Sequence, residues 1–324
     1  METIRGLTNW QLTVQREQDG VTILRALTCD KTAVLPDELF GLPVTALSDH
    51  ALAAGGSPVA GEELRVLGGG ESGDWDNRNI TDLTLPRFLQ QIGSYAFMNL
   101  RSLVTLRFFD DLQSTGSAGF MNCRCFSRLE LRRTGPNQGP ALALLVKALQ
   151  QELDVTVFET DGSITRLLFP EYFENYTENN AAHHFELKIH GGGYAYHDVF
   201  RSKILSLTDY DALWPAYLAH EHDEDSALRL AYGRCRYPNG LREQAGRRYA
   251  DYLCANIGKA LSFALKEKDM PGLRLLLDLG STESETLDAA LRESRSLQMT
   301  EATAILLERR HALPAAGRAR RFEL

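Results

Sequence analysis

The chain has 324 residues, 44% of them apolar and 24% charged, a balance that fits a folded globular protein and excludes a disordered or fibrous one. Its 43 acidic residues outnumber 35 basic ones, and the formal charge of -8 disfavours a phosphate backbone as the main partner, so nucleic acid is not expected. No apolar run approaches the ~18 residues that cross a bilayer, the opening residues lack the apolar core of a secretory signal, and five cysteines is an odd number; the expectation is a cytoplasmic protein with reduced thiols and no membrane partner.

The first predicted elements are strands. Residues 10–17 (WQLTVQRE) and 21–27 (VTILRAL) flank Gln18-Asp19-Gly20, and Asp-Gly is a strong hairpin turn. Further on, residues 83–105 and 106–128 align without a gap at a period of 23. Identities fall at Leu83/Leu106, Leu89/Leu112, Gln90/Gln113, Gly93/Gly116, Ser94/Ser117, Phe97/Phe120, Met98/Met121, Asn99/Asn122 and Arg101/Arg124, and Leu129 with Leu131 opens a third copy. A looser copy lies upstream, where Leu35-Pro36 matches Leu85-Pro86 and 47–52 (LSDHAL) matches 92–97 (IGSYAF); a glycine-rich insert at 68–77 separates it from the clear copies.

One such copy cannot bury its apolar side alone, so the period implies stacked coils. Over about residues 20–133 the pattern resembles the BspA-type leucine-rich repeat: Leu-Pro closing a strand, an Ile-Gly step, an Ala-Phe pair and then Asn-Cys. The resemblance implies a short solenoid that binds other proteins, here capped by the N-terminal hairpin. Between the buried leucines, strand positions alternate outward. That puts Asp82 and Thr84, Thr105 and Arg107, Arg128 and Glu130 in two polar columns, as candidate protein-binding residues.

A turn-rich stretch at 133–140 (RTGPNQGP) predicts a boundary. After it, 141–153 reads as a helix, and 154–160 and 163–169 read as strands joined by Asp161-Gly162. Residues 169–197 hold seven aromatic side chains, more than twice the chain's average density. Tyr172, Tyr176, Tyr194 and Tyr196 are therefore either interface anchors or the core of the middle segment. From 207 the apolar period becomes helical: Ala227, Leu228, Ala231 and Cys235 share one face, and Leu241, Ala245, Tyr249 and Leu253 another. Residues 259–310 resemble degenerate ankyrin-type helix pairs. Ala264-Leu265 parallels Ala290-Leu291, Leu276-Leu277 parallels Leu306-Leu307, and Thr282 with Glu285 suggests a capping box.

Three clusters invite chemistry. His190-Gly191-Gly192-Gly193 is similar to an esterase oxyanion-hole segment, but no Gly-x-Ser-x-Gly elbow accompanies it. His220-Glu221-His222-Asp223-Glu224-Asp225, with His183, His184 or His197 nearby, offers metal ligands; yet residues 220 and 222 would point ~200° apart on a helix, and acids in the first turn of a helix starting near 224 have their own electrostatic reason. Cys123-Arg124-Cys125 places Cys123 at the repeat's own cysteine position, where a small buried side chain is expected. The expectation is accordingly an α+β chain: a short leucine-rich-repeat solenoid (1–133), a small mixed α/β segment (141–206), an ankyrin-like helical domain (207–312) and a tail (313–324). Its expected role is a non-enzymatic protein-protein scaffold or adaptor without cofactor or metal. An extracellular adhesin is the alternative, and a hydrolase acting through His190–Gly193 the second.

Overall fold

The computed structural model describes residues 2–69, 73–135, 137–179, 184–280 and 283–312, the side chains of 177–179 and 184–186 excepted. His183, Thr282 and the 313–324 tail lie outside the described residues. Two compact units emerge, Met1–His222 and Asp223–Leu324.

In the first unit β1 (Glu2–Arg5), β2 (Trp10–Arg16) and β3 (Val21–Leu27) are followed by β4 (Thr32–Val34), β5 (Glu38–Leu39), β6 (Leu42–Leu47) and β7 (Glu62–Leu67). β8 (Asp82–Thr84), β9 (Gln91–Ile92), β10 (Thr105–Phe109), β11 (Ser114–Thr115) and β12 (Arg128–Arg132) carry the repeats. The 23-residue period becomes a stack of coils, each giving one strand to each of two sheets. β4, β8, β10 and β12 form one parallel ladder, with Thr105 level with Asp82 on one side and Arg128 on the other. β6, β9 and β11 form the second.

Leu83, Leu106 and Leu129 enter the shared core at 0% exposure. The Phe97 and Phe120 rings stack at 4.9 Å, and Phe120 meets Phe126 at 4.7 Å, so the aromatic position runs as one column through the coils. Coils approach too closely for a side chain at Gly93 and Gly116, where an added Cβ would stand 2.4 Å and 2.3 Å from the neighbouring coil's backbone. Asn99 and Asn122 adopt left-handed backbone and join their amides at 2.9 Å.

The β2–β3 hairpin forms as predicted, and β3 continues into β6. Sequence reading missed β7, which lies just ahead of the glycine-rich insert and pairs antiparallel with β2, and β1, which pairs parallel with the other edge of β7. At the other end, α1 (Ala141–Val146) packs against β11, where the next coil would place a strand. It is shorter than the predicted helix, because its apolar run ends at Lys147. β13 (Leu153–Phe158) then pairs parallel with β12, and β14 (Ile164–Phe169) turns back antiparallel and ends the ladder. The sheet thus passes across the 133–140 turns instead of stopping there.

β15 (Phe173–Asn179) and β16 (His184–His190) make a separate hairpin, followed by α2 (Tyr194–His197), the short strands β17 (Phe200–Arg201) and β18 (Ile204–Leu205), α3 (Leu207–Ala212) and α4 (Trp214–Ala219). The last two helices, expected with the C-terminal section, belong to the first unit; Tyr210 of α3 bonds the Leu168 backbone of β14 in both directions.

The second unit holds α5 (Glu224–Arg236) with α6 (Glu243–Ala255), α7 (Ile257–Lys266) with α8 (Met270–Leu279), and α9 (Ser284–Ser296) with α10 (Thr300–Ala312). α5, α7 and α9 make one row, α6, α8 and α10 a second. The turns repeat at 30 residues. Lys268 and Gln298 both have φ 56°, and Asp269 N donates to Ala264 O as Met299 N does to Ser294 O. Ala264 therefore corresponds to Ser294, and the Ala264/Ala290 match is a slip of four residues. One helical turn preserves the buried face, so periodicity could not detect it. The Leu276/Leu306 match keeps the true period. α9 is preceded by Glu283, whose side chain caps nothing.

Candidate protein-binding surface

The outer face of the β4–β14 sheet brings five of the six predicted strand residues to the surface in two columns. Asp82, Thr105 and Arg128 share one; Thr84, Arg107 and Glu130 share the other. Arg107 stands at the centre. Its Nε donates to Glu130 Oε2 at 2.8 Å and its Nη2 to Asp82 Oδ1 at 3.2 Å, with all three side chains between 19% and 30% exposed. Such a network fixes orientation more than it stabilises, each half-exposed pair contributing up to ~1 kcal/mol. Thr105, expected outward, is buried beneath its neighbours. Its side chain is shorter than those of Asp82 and Arg128, which flank it in the column.

Sequence reading missed the continuation of this face. Arg166 Nε and Nη2 meet Asp154 at 3.1 and 2.5 Å, and the Arg132 guanidinium lies 5.0 Å above the Phe158 ring. The strand at 154–160 was predicted, but no 23-residue copy joins it to the repeats, so its pairing with β12 had no signal in the sequence. Also missed was Asn77, at 0% exposure at the end of the insert. Its amide donates to Ala26 O and Leu52 O and accepts from Thr28 N, tying the insert to the coils.

The aromatic candidates divide. Tyr194 is exposed, and half-buried Tyr172 packs edge-on against it at 5.4 Å. Tyr176 is exposed and donates to Glu174. Pairing puts Tyr176, Leu187 and Ile189 on one face of the β15–β16 hairpin, all solvent-exposed. Tyr196 is no surface residue. It is wholly buried between Tyr210 and Tyr217, with ring centroids at 4.8 and 5.6 Å, because α2 turns its second tyrosine into the core.

The glycine triplet is explained by packing. Gly191 needs a φ of +88°, a Cβ at Gly192 would press into the Tyr217 ring at 2.6 Å, and one at Gly193 would lie 1.9 Å from the Pro170 carbonyl oxygen. His197 is buried with Nδ1 3.2 Å from Val146 O and Nε2 2.9 Å from Pro170 O; burial pushes its pKa below the ordinary imidazole value against the pull of these carbonyls. His220 and His222 each turn Nδ1 to a backbone carbonyl. Asp223 caps α5 by accepting from Ser226 N at 2.7 Å. Among the described residues no three His, Cys, Asp or Glu converge as a metal site. Cys123 packs in the core with its thiol pushed up to about 12 by burial, whereas Cys125 is exposed. Among the described residues no helix is long and apolar enough to cross a membrane.

No curated protein and no solved structure matches the chain. The family described as BspA type leucine-rich repeat region (6 copies) matches residues 72–137, which makes this stretch, well short of half the chain, a leucine-rich-repeat region of that type.

Proposed function

We propose that the first unit is a short solenoid that binds a protein partner, and that the chain is a non-catalytic scaffold or adaptor of the cytoplasm whose second unit adds an ankyrin-like stack of helix pairs. Leucine-rich repeats generally mediate protein-protein interaction, and extended stacked faces are the surfaces such folds use. The observation that carries the reading is the Asp82–Arg107–Glu130 network, which holds a polar, half-exposed face in fixed geometry on rigid strands. Packing accounts for the His190–Gly193 glycines, which supports the non-catalytic reading.

The test is photo-crosslinking in cells. A benzoylphenylalanine at Thr84 or Glu130, on the proposed face, is expected to trap one partner reproducibly. The same group at exposed Gln113, just ahead of β11 of the second sheet, is expected to trap none. Equal crosslinking from all three positions, or none from Thr84 and Glu130, rejects the face.

A further inference from the structure

Arg78, Arg101 and Arg124 occupy one position of three consecutive coils, each four residues ahead of Asp82, Thr105 and Arg128, which the strand register aligns. The flanking positions point inward in every coil: Asn77, Leu100 and Cys123 just before, Ile80, Leu103 and Phe126 two places after, are all buried. The three arginines therefore emerge at the same outer corner, and all three are exposed. Adjacent rungs lie ~4.8 Å apart, well inside a Debye length of ~10 Å at 0.1 M salt, and like charges stacked this way repel. Asp76 neutralises Arg78 at 2.5 Å. The guanidinium groups of Arg101 and Arg124 have no hydrogen-bond or ion-pair partner among the described residues, and neither has that of exposed Arg128.

The corner also ends in an open donor row. His50, Leu52 and Ala54 donate their backbone N–H groups to Ser94, Ala96 and Met98 of the next coil, and Tyr95, Phe97 and Asn99 donate likewise to Ser117, Gly119 and Met121, all at 2.8–3.0 Å. In the last coil the equivalent groups of Ala118, Phe120 and Asn122 donate to nothing among the described residues. Asn122 is two residues from Arg124.

Guanidinium groups and N–H groups both require oxygen acceptors, best with negative charge. We infer that this corner docks an acidic polypeptide segment, its carboxylates on Arg101, Arg124 and Arg128 and its remaining acceptors on the open N–H row. The inference rests on the protein-binding reading of the repeats and adds the partner's chemistry. A nucleic acid fits less well, because a phosphate backbone long enough to leave these rungs meets Asp82, Glu130 and Asp154 beside them and a chain of charge -8. A second copy is disfavoured, since it would set arginine against arginine and N–H against N–H.

Fluorescence anisotropy with a labelled glutamate-rich peptide and the full chain tests this. The wild type is expected to bind, more weakly as salt rises, and Arg101→Glu/Arg124→Glu to weaken binding by roughly tenfold or more. Arg101→Gln/Arg124→Gln should fall between, and Arg292→Glu, at an exposed site of the second unit, should match wild type. Circular dichroism checks that each variant is folded. The inference fails if the wild type does not bind the peptide, if the double variants bind it as well as wild type, or if a single-stranded oligonucleotide binds more tightly through the same arginines. Crosslinks from Thr84 and Glu130 that persist in the double variant would leave the protein-binding reading standing without this partner; their absence beside intact peptide binding would do the reverse.

Discussion

A methyl group at Gly193 has no room, whereas at Gly119 an added Cβ meets nothing within 4 Å. Gly193→Ala is therefore expected to destabilise the first unit by about 1–3 kcal/mol, and Gly119→Ala to stay within ~0.5 kcal/mol, as thermal unfolding of the two variants would show. The string His190–Gly193 was visible in the sequence, but what the glycines touch was not, because Pro170 and Tyr217 lie on either side of them along the chain. Asn77 makes the same point more sharply. Its bonds reach 25, 49 and 51 residues back, and nothing in its neighbourhood marks it as buried. Asn77→Ala removes three hydrogen bonds and strands their partners, so a loss of ~3 kcal/mol is expected in denaturant titration.

Among the elements, α8 is fastened by one carboxylate. Asp269 accepts from Tyr232 Oη at 2.7 Å, Arg236 Nε at 2.9 Å and Gly272 N at 3.0 Å. Burial works against its charge, but these donors outweigh burial and hold its pKa below the usual carboxylate value. The folded unit thus favours ionised Asp269. Its contribution is complete above the unfolded pKa of ~3.9 and is lost as pH falls through the lower folded value. Denaturant titrations over a pH series should show that acid limb, and Asp269→Asn should be less stable at neutral pH with a shallower limb. Which helices exist was legible in their apolar period. Their pairing offset was not, because a four-residue slip keeps Ala264, Leu265, Ala290 and Leu291 all on a buried face.

In the molecule as a whole, the repeats and the β2–β3 cap declared themselves, and β13 and β14 were legible as strands, but β1, β7 and the pairing of β13 onto the stack were not. Positions such as Leu83, Leu106 and Leu129 recur because each coil repeats one packing problem; β1, β7 and β13 solve the problem of an end only once, and no 23-residue copy marks their place in the stack. A shared core also means shared failure. Phe97→Ala opens a hole beside Phe120 and is expected to cost about 3–5 kcal/mol. Hydrogen exchange should accelerate across β8, β10 and β12 together; acceleration confined to one coil would mean that the coils are energetically separate.

The constant offset between β8, β10 and β12 makes length a variable this architecture can change without redesign. A tandem duplication of residues 83–105 would find matching edges above and below, while the β2–β3 and β13–β14 hairpins remained as unaltered end plates. The molecule would lengthen by one rung of ~4.8 Å, and the width of its outer wall could be tuned by copying a module instead of reshaping one.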